Sequence, residues 1–500
     1  MTAMMEKQSG REWIARRIVP EEIARYQTDG RDFIDDAALE ARLQPAPPPD
    51  PARVRAIIAK ARQIQALDLD ETALLLRVAD PGLWDEMRQA AADIKHTVYD
   101  NRIVTFAPLY LSSRCVNDCG YCGLRSSNAG IARRTLTMDE IRAETEVLAG
   151  RIGHKRLVVV YGEHPQSDLD YMLESIRTIY AVQVPARRGM GQIRRVNVNA
   201  APLAIAELQA LRDVGVGTFQ VFQETYHHAT YRQVHPAHTL KGDYSWRLYC
   251  MHRALEAGLD DVGIGALFGL YDWRFEVLGL TAHALELERA LGIGPHTISF
   301  PRLEPAANTP LAQNSRWRVS DDDFEKVVIL LRLAVPYAGL IVTARENPGM
   351  RRRLLPLGCT QTDASAQIGI GAYQETHGGQ DDRRQQFMLG DTRTLDEVVR
   401  DLAGLGCITS FCTAGYRCGR TGQCIMDLLR SGAEGKFCKL NAVLTFKEWL
   451  DDFASPATQA AGAPLLQREL EEIRTQQPRI YPEFLQLYER TCRGECDLYF

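Results

Sequence analysis

Cys115, Cys119 and Cys122, spaced C-x3-C-x2-C, are the residues of this 500-residue chain whose types and spacing most directly imply chemistry. Three thiolates can bind three irons of a [4Fe-4S] cube and leave the fourth iron open, where the amino and carboxylate groups of S-adenosylmethionine can chelate it. One electron from the reduced cube then breaks the sulfonium and yields a 5′-deoxyadenosyl radical. A structural zinc site, the competing use of clustered thiols, needs four ligands in paired short spacings, and no fourth Cys or His stands near this triplet in the sequence. Tyr121, just before the third cysteine, could shield the cluster and lie near the adenine.

Further candidates follow the triplet along the chain. Tyr161-Gly162-Glu163 offers a small residue for close approach and a carboxylate that could accept hydrogen bonds from the S-adenosylmethionine ammonium. Asn197 and Asn199 alternate along one apolar run, so both face one side, where amides could hold the ribose. Gly263, Gly265 and Gly269 remove side chains where a flat adenine could pack. A second group of thiols, Cys412, Cys418, Cys424 and Cys438, lies far downstream. Of the other cysteines, Cys250, Cys359 and Cys407 read as small buried hydrophobes, whereas Cys492 and Cys496 are one helical turn apart and could be either reactive or merely exposed.

The elements that must position these residues are legible as a change of rhythm. From Glu21 to about Ile94 apolar residues recur at three and four spacing, broken by Pro45 to Pro51, which predicts a helical cap over residues 1–100. Short apolar runs then alternate with amphipathic stretches: Val104–Leu111, Leu157–Tyr161, Val196–Ala200, Phe219–Phe222, Val262–Leu267, Thr297–Pro301, Leu340–Ala344 and Ala366–Ile370. Eight such strands, buried on both faces and joined by helices, predict an α/β fold: a TIM-type (β/α)8 barrel over residues 101–375. The triplet directly follows the first strand, at the mouth where such barrels place their chemistry. A mostly helical extension, 376–500, carries the second thiol group. Composition is that of a globular protein, with 45% hydrophobic and 25% charged residues, and a net charge of -5 offers no broad basic surface for nucleic acid. Without an apolar leader or a run long enough to span a bilayer, and with thiols grouped as for metal binding, the expected compartment is the cytoplasm.

Longer stretches carry a resemblance. Ser113-Arg-Cys-Val-Asn-Asp-Cys-Gly-Tyr-Cys122, Val196-Asn-Val-Asn-Ala-Ala-Pro202, Phe219-Gln-Val-Phe-Gln-Glu-Thr-Tyr-His227, Gly269-Leu-Tyr-Asp-Trp-Arg-Phe-Glu-Val277 and Gly294-Pro-His-Thr-Ile-Ser-Phe-Pro-Arg302 resemble the tyrosine lyases of the radical S-adenosylmethionine class. The likeness extends past the barrel, through Ser410-Phe-Cys-Thr-Ala and Asn441-Ala-Val-Leu-Thr-Phe-Lys447, as in the maturases of the [FeFe]-hydrogenase cofactor; the shorter thiamine-pathway 2-iminoacetate synthases are similar over the barrel alone. The resemblance implies cleavage of the Cα–Cβ bond of L-tyrosine to p-cresol and dehydroglycine, which the maturases convert to carbon monoxide and cyanide at a second cluster. It also implies an external electron donor, a flavodoxin, ferredoxin or reductase, and a cofactor-assembly protein as recipient. Arg345, in Thr343-Ala-Arg-Glu346, would grip the tyrosine carboxylate, with Arg302 as competitor and a surface ion pair to Glu346 as the bland reading. Glu224, Tyr226 and His227 follow the fourth strand and could order S-adenosylmethionine or handle the substrate's protons.

One motif departs from the family. The maturases bind the auxiliary cluster with C-x2-C-x22-C; here Cys412 and Cys438 align with the first and third ligands, and Gly415 stands in the place of the second. Cys418 or Cys424 could restore three-point ligation, or all four thiols could close a cluster or zinc site completely. His283 resembles the family's histidine for a labile iron, with His296 near enough in sequence to compete. Three alternatives stay open: a tyrosine lyase that stops at dehydroglycine, an iron-sulfur carrier or scaffold, and the same radical chemistry on tryptophan or another amino acid.

Overall fold

The computed structural model describes residues 12–375, 380–381, 383–418, 422–431 and 434–500, so the start of the expected cap and parts of the expected extension lie outside the described residues. Nine parallel strands form one sheet: β1 (Arg102–Ser112), β2 (Arg156–Tyr161), β3 (Arg195–Asn199), β4 (Phe219–Gln220), β5 (Val262–Gly265), β6 (Thr297–Ser299), β7 (Gly339–Val342), β8 (Gln361–Asp363) and β9 (Ile408–Ser410). Sequential neighbours pair from β1 to β8, and β8 pairs back onto β1, so the first eight strands close a barrel. Val104 pairs with Gln361 of β8 and also with Ser410 of β9, so the ninth strand occupies the other edge of β1, below the point where β2 begins at Ala107.

The first seven strands lie on the predicted apolar runs, but the eighth does not. It is Gln361-Thr-Asp363, and Ala366–Ile370 instead forms a loop in which Ile368 lines the barrel's cavity. The polar strand is tolerated because every side chain is met in the interior. Thr362 Oγ1 donates to Val342 O at 2.8 Å and Asp363 Oδ1 accepts Ala344 N–H at 2.6 Å, while the buried Arg351 guanidinium contacts Thr362, Asp363 and Asp391.

Helices on the crossovers cover the barrel's outside. The cap ends in α1 (Pro81–Tyr99), started by Pro81 and by Asp80, whose carboxylate accepts Leu83 N–H; Met87, Ala90, Ala91, Ile94 and Val98 bury its inner face against α3 (Asp321–Ala334) and α4 (Pro348–Leu357). Between them in sequence lies α2 (Trp273–Leu291), on the crossover from β5 to β6. In the extension, α5 (Ala414–Arg417) and α6 (Gly422–Arg430) follow β9, and α7 (Glu434–Asp452) packs on β9. No helix is long and apolar enough to cross a membrane among the described residues.

Candidate active site

At the C-terminal ends of the strands lies a cavity of ≈ 230 Å³ lined by Cys115, Cys119 and Cys122, with Tyr121, Gly162, Glu163, Asn199, Glu224 and Arg345 among its other walls. Seven of the sequence-predicted residues outside the triplet were expected to bind cofactor, and the structure brings five of them to this cavity: Tyr121, Gly162, Glu163, Asn199 and Glu224. Gly162 matters through close approach, since a Cβ there would fall 2.1 Å from Arg114 O in the triplet loop. Val116 N–H donates to Glu163 O at 2.8 Å and Asn117 Nδ2 donates to Glu163 Oε2 at 2.6 Å, so the end of β2 holds the loop from beneath. Burial raises the Glu163 carboxyl above its ordinary value. Burial also pushes the Cys119 thiol up to about 12, despite the nearby cation of Lys241.

Glu224 adopts φ +71°, a left-handed conformation costly for a residue with a Cβ, of the kind found where a site fixes one side chain. Its Oε1 accepts from Lys241 Nζ at 2.7 Å and from Arg247 at 3.3 Å. Burial opposes its charge, but the two cations outweigh that cost and lower its pKa. Lys241 also stands 5.5 Å over the Tyr121 ring, whose hydroxyl is hydrogen-bonded to His235 Nε2 at 2.8 Å. Sequence reasoning missed Lys241, Arg247, Asn117 and Gln386; only Asn117 carried a signal, by lying inside the triplet.

Arg345 and Arg302 separate clearly. Arg302 is paired with Glu346 and with Asp321 at 2.7 Å, and is not a wall of the cavity. Arg345 lines the cavity, is stacked at 3.3 Å on the Phe387 ring, and has no ion-pair partner among the described residues. The expected alternative of an Arg345–Glu346 pair is therefore corrected: Glu346 is taken by Arg302.

Other expected residues lie elsewhere. Asn197 Oδ1 accepts Thr218 N–H at 3.0 Å beneath the cavity, and Gly265 makes room for the Phe222 ring, 2.6 Å from where its Cβ would stand, so neither is a cavity wall. Tyr226 is fully buried, its hydroxyl bonded to His283 Nδ1 at 2.9 Å and its N–H donated to Glu276 on α2. His227 is stacked on Tyr271 at 3.9 Å and lies 3.4 Å from Glu40 of the cap. His283 is surrounded by Tyr226, His252 and Phe33 in the outer layer. These three residues brace the barrel against its cap rather than facing the cavity.

The second thiol group belongs to the opposite end of the barrel. Cys412, at φ +47° just after β9, lies near the guanidinium groups of Arg156, the first residue of β2, and Arg195, the first residue of β3. Cys438 is buried on α7, whereas Cys418 and Cys424 are exposed. His296, at the start of β6, is at this same floor, with a buried Nδ1 that has no hydrogen-bond partner. His283 Nε2 is likewise buried without a hydrogen-bond partner among the described residues, so the two histidines differ in position: His296 at the floor, His283 in the outer layer.

The donor set fits iron-sulfur chemistry: three thiols on one short loop facing a cavity that also holds the buried Arg345 guanidinium. Comparisons with known proteins agree. The Radical SAM superfamily model matches residues 109–278 and the Biotin and Thiamin Synthesis associated domain matches 299–408. The chain is 31% identical over 359 residues to 2-iminoacetate synthase of Escherichia coli K12, covering 71% of this chain and 89% of that protein. It superimposes on a crystal structure of HydG, a maturase of the [FeFe]-hydrogenase, with TM-score 0.88 and 42% identity over 94% of this chain and 100% of that one. HydG from Carboxydothermus hydrogenoformans gives 0.73 and 35%, covering 88% of this chain and 94% of that one.

Proposed function

Because the chain belongs to the radical S-adenosylmethionine enzyme family that contains 2-iminoacetate synthase and HydG, we propose that it cleaves the Cα–Cβ bond of L-tyrosine to p-cresol and dehydroglycine. The observation that carries this reading is the single cavity walled by Cys115, Cys119, Cys122 and Arg345. When bound, a [4Fe-4S] cluster and S-adenosylmethionine supply the radical that takes a hydrogen atom from the substrate. The chain's own groups do the rest. Arg345 offers a planar fork to the amino-acid carboxylate: no protein carboxylate forms a close ion pair with it among the described residues, although Glu304 lines the same cavity. Glu163 and Asn199 face the same space as the triplet and suit the ammonium and ribose of S-adenosylmethionine. The Glu224–Lys241–Arg247 network fixes the wall behind Cys119 and Tyr121. Phe106, Val158, Ile341 and Phe387 supply apolar wall among these polar groups, which limits the water that can reach a reactive carbon radical.

We infer further that dehydroglycine goes on to carbon monoxide and cyanide at a second iron-sulfur site held by Cys412, Cys418 and Cys438. Cys418 N–H donates to both Ala414 O and Gly415 O, so the chain is still helically wound there, and Cys418 lies on the face that Gly415 leaves bare. Its Sγ is 3.9 Å from Phe500 O, which also accepts from Asn441 Nδ2 at 3.2 Å; Asn441 is three residues beyond Cys438 on α7. Cys424 shares none of these contacts among the described residues. In a chain lacking the first triplet, Cys418→Ser is expected to lose the remaining iron and Cys424→Ser to retain it; the reverse pattern reassigns the ligand. Gly415 favours the second reading, a lyase that stops at dehydroglycine. The discriminating experiment is anaerobic turnover with reductant, S-adenosylmethionine and L-tyrosine, reading p-cresol and carbon monoxide from one tube. Both products support the two-step reaction, p-cresol alone supports the shorter one, and neither overturns both.

A further inference from the structure

Residues 383–391 form a strap across the mouth of the barrel, tied down along its length. Ala132 N–H donates to Arg383 O at 3.1 Å, Gly123 N–H to Gln386 O at 3.2 Å, Met388 N–H to Pro305 O at 3.0 Å and Gly390 N–H to Ala344 O at 2.8 Å. Two adjacent side chains of this strap serve different partners. Gln386 Nε2 lies 3.4 Å from Cys122 Sγ, and Phe387 carries the Arg345 guanidinium on its ring face at 3.3 Å.

The amide is oriented from below. Tyr110 O–H, on β1, donates to Gln386 Oε1 at 2.8 Å, which turns the NH2 group toward the thiol. That is the favourable sense, because a metal-bound thiolate accepts hydrogen bonds and would repel a carbonyl oxygen. Cys115 has a similar but longer contact, with Asn117 Nδ2 at 3.8 Å, and that amide is committed to Glu163. Hydrogen bonds to cluster sulfurs withdraw charge from them and stabilise the reduced state.

We propose that Gln386 is a positioning residue that sets the reduction potential of the cluster through Cys122, and that Phe387 links this setting to occupancy of Arg345. A substrate carboxylate binding the edge of the Arg345 guanidinium pulls on that group, and with it on the Phe387 ring stacked against its face. Movement of Phe387 is passed through one peptide unit to Gln386, and from there to the N–H···S contact. The inference rests on reading the triplet as a cluster site with Arg345 as the carboxylate anchor.

The test is a redox titration of the reconstituted full-length chain, with and without L-tyrosine, following the electron paramagnetic resonance signal of the reduced cluster. Working in the Cys412→Ala background leaves one cluster to titrate. Gln386→Leu is expected to lower the potential, and Tyr110→Phe, which removes only the orienting hydroxyl, to lower it less. Tyrosine is expected to shift the potential of the parent chain, and this shift is expected to be lost in Gln386→Leu and Phe387→Leu. If Gln386→Leu fails to hold its cluster, Tyr110→Phe decides the matter. A full cluster whose potential ignores both Gln386→Leu and Tyr110→Phe, or a tyrosine shift that survives Phe387→Leu, overturns the proposal. Failure of the parent chain to hold any cluster overturns the reading beneath it instead.

Discussion

Arg345 and Glu346 are neighbours in sequence, yet Glu346 turns to Arg302 while Arg345 turns into the cavity. That division decides which cation is free to meet a substrate. Replacing Arg345 with Lys keeps the charge and loses the fork, so the KM for tyrosine, measured from initial rates of p-cresol release, is expected to rise roughly tenfold or more. Arg302→Lys is expected to leave KM near its starting value and to lower thermal stability. At this scale the sequence was most readable where chemistry dictates a fixed local spacing, as in the triplet. Lys241 and Gln386 were not readable, because each reaches the site from a connecting segment whose path only the tertiary fold defines. Tyr226, His227 and His283 carry chemically capable side chains, and nothing in their types distinguishes a ligand from a buried brace.

At the scale of the element, β8 explains where strand reading fails. The apolar-run rule works for β1 to β7 because buried apolar residues still punctuate each run, as Val196 and Val198 do in β3 between the polar Asn197 and Asn199. In β8 the interior partners are polar, so Gln361-Thr-Asp363 is a buried strand without the apolar signature, and the apolar run a few residues later lines the cavity instead. Arg351 is the keystone, contacting Thr362, Asp363 and Asp391 while itself buried. Arg351→Met leaves the buried Asp363 without its cation and Asp391 with Arg393 alone, and should destabilise the chain by about 3–5 kcal/mol. The check is the midpoint of urea unfolding, in which an unchanged value would contradict this account of β8.

Across the whole molecule, the extension is bound to the barrel floor by charge as well as by packing. Glu448 of α7 accepts from Lys155 Nζ at 2.7 Å and is paired with Arg194, all three being nearly inaccessible to solvent. Asp452 and Cys496 lie close by, but the two cations already neutralise the carboxylate, and the group reads as an ion-pair network. Burial alone would raise the pKa of Glu448; Lys155 and Arg194 outweigh it and lower the value to about 2. A depressed folded-state pKa gives stability that is present above the unfolded value, near 4.3, and is lost as pH falls toward about 2. The stability advantage of the parent chain over Glu448→Gln is therefore expected to be constant at neutral pH and to shrink across that acid window, as read by denaturant unfolding at a series of pH values. Barrel closure was legible from the change in apolar rhythm. The clamping of the extension onto the floor was not, since Lys155 and Glu448 are 293 positions apart.

The central claim is that the cavity above Cys115, Cys119 and Cys122 generates a radical and turns it on tyrosine. The most direct measurement quantifies 5′-deoxyadenosine and p-cresol together, anaerobically and with reductant, for the parent chain and for Cys119→Ala. The account predicts tyrosine-dependent formation of both by the parent and of neither by the variant; p-cresol persisting in Cys119→Ala, or abundant 5′-deoxyadenosine with no p-cresol from the parent, would contradict it.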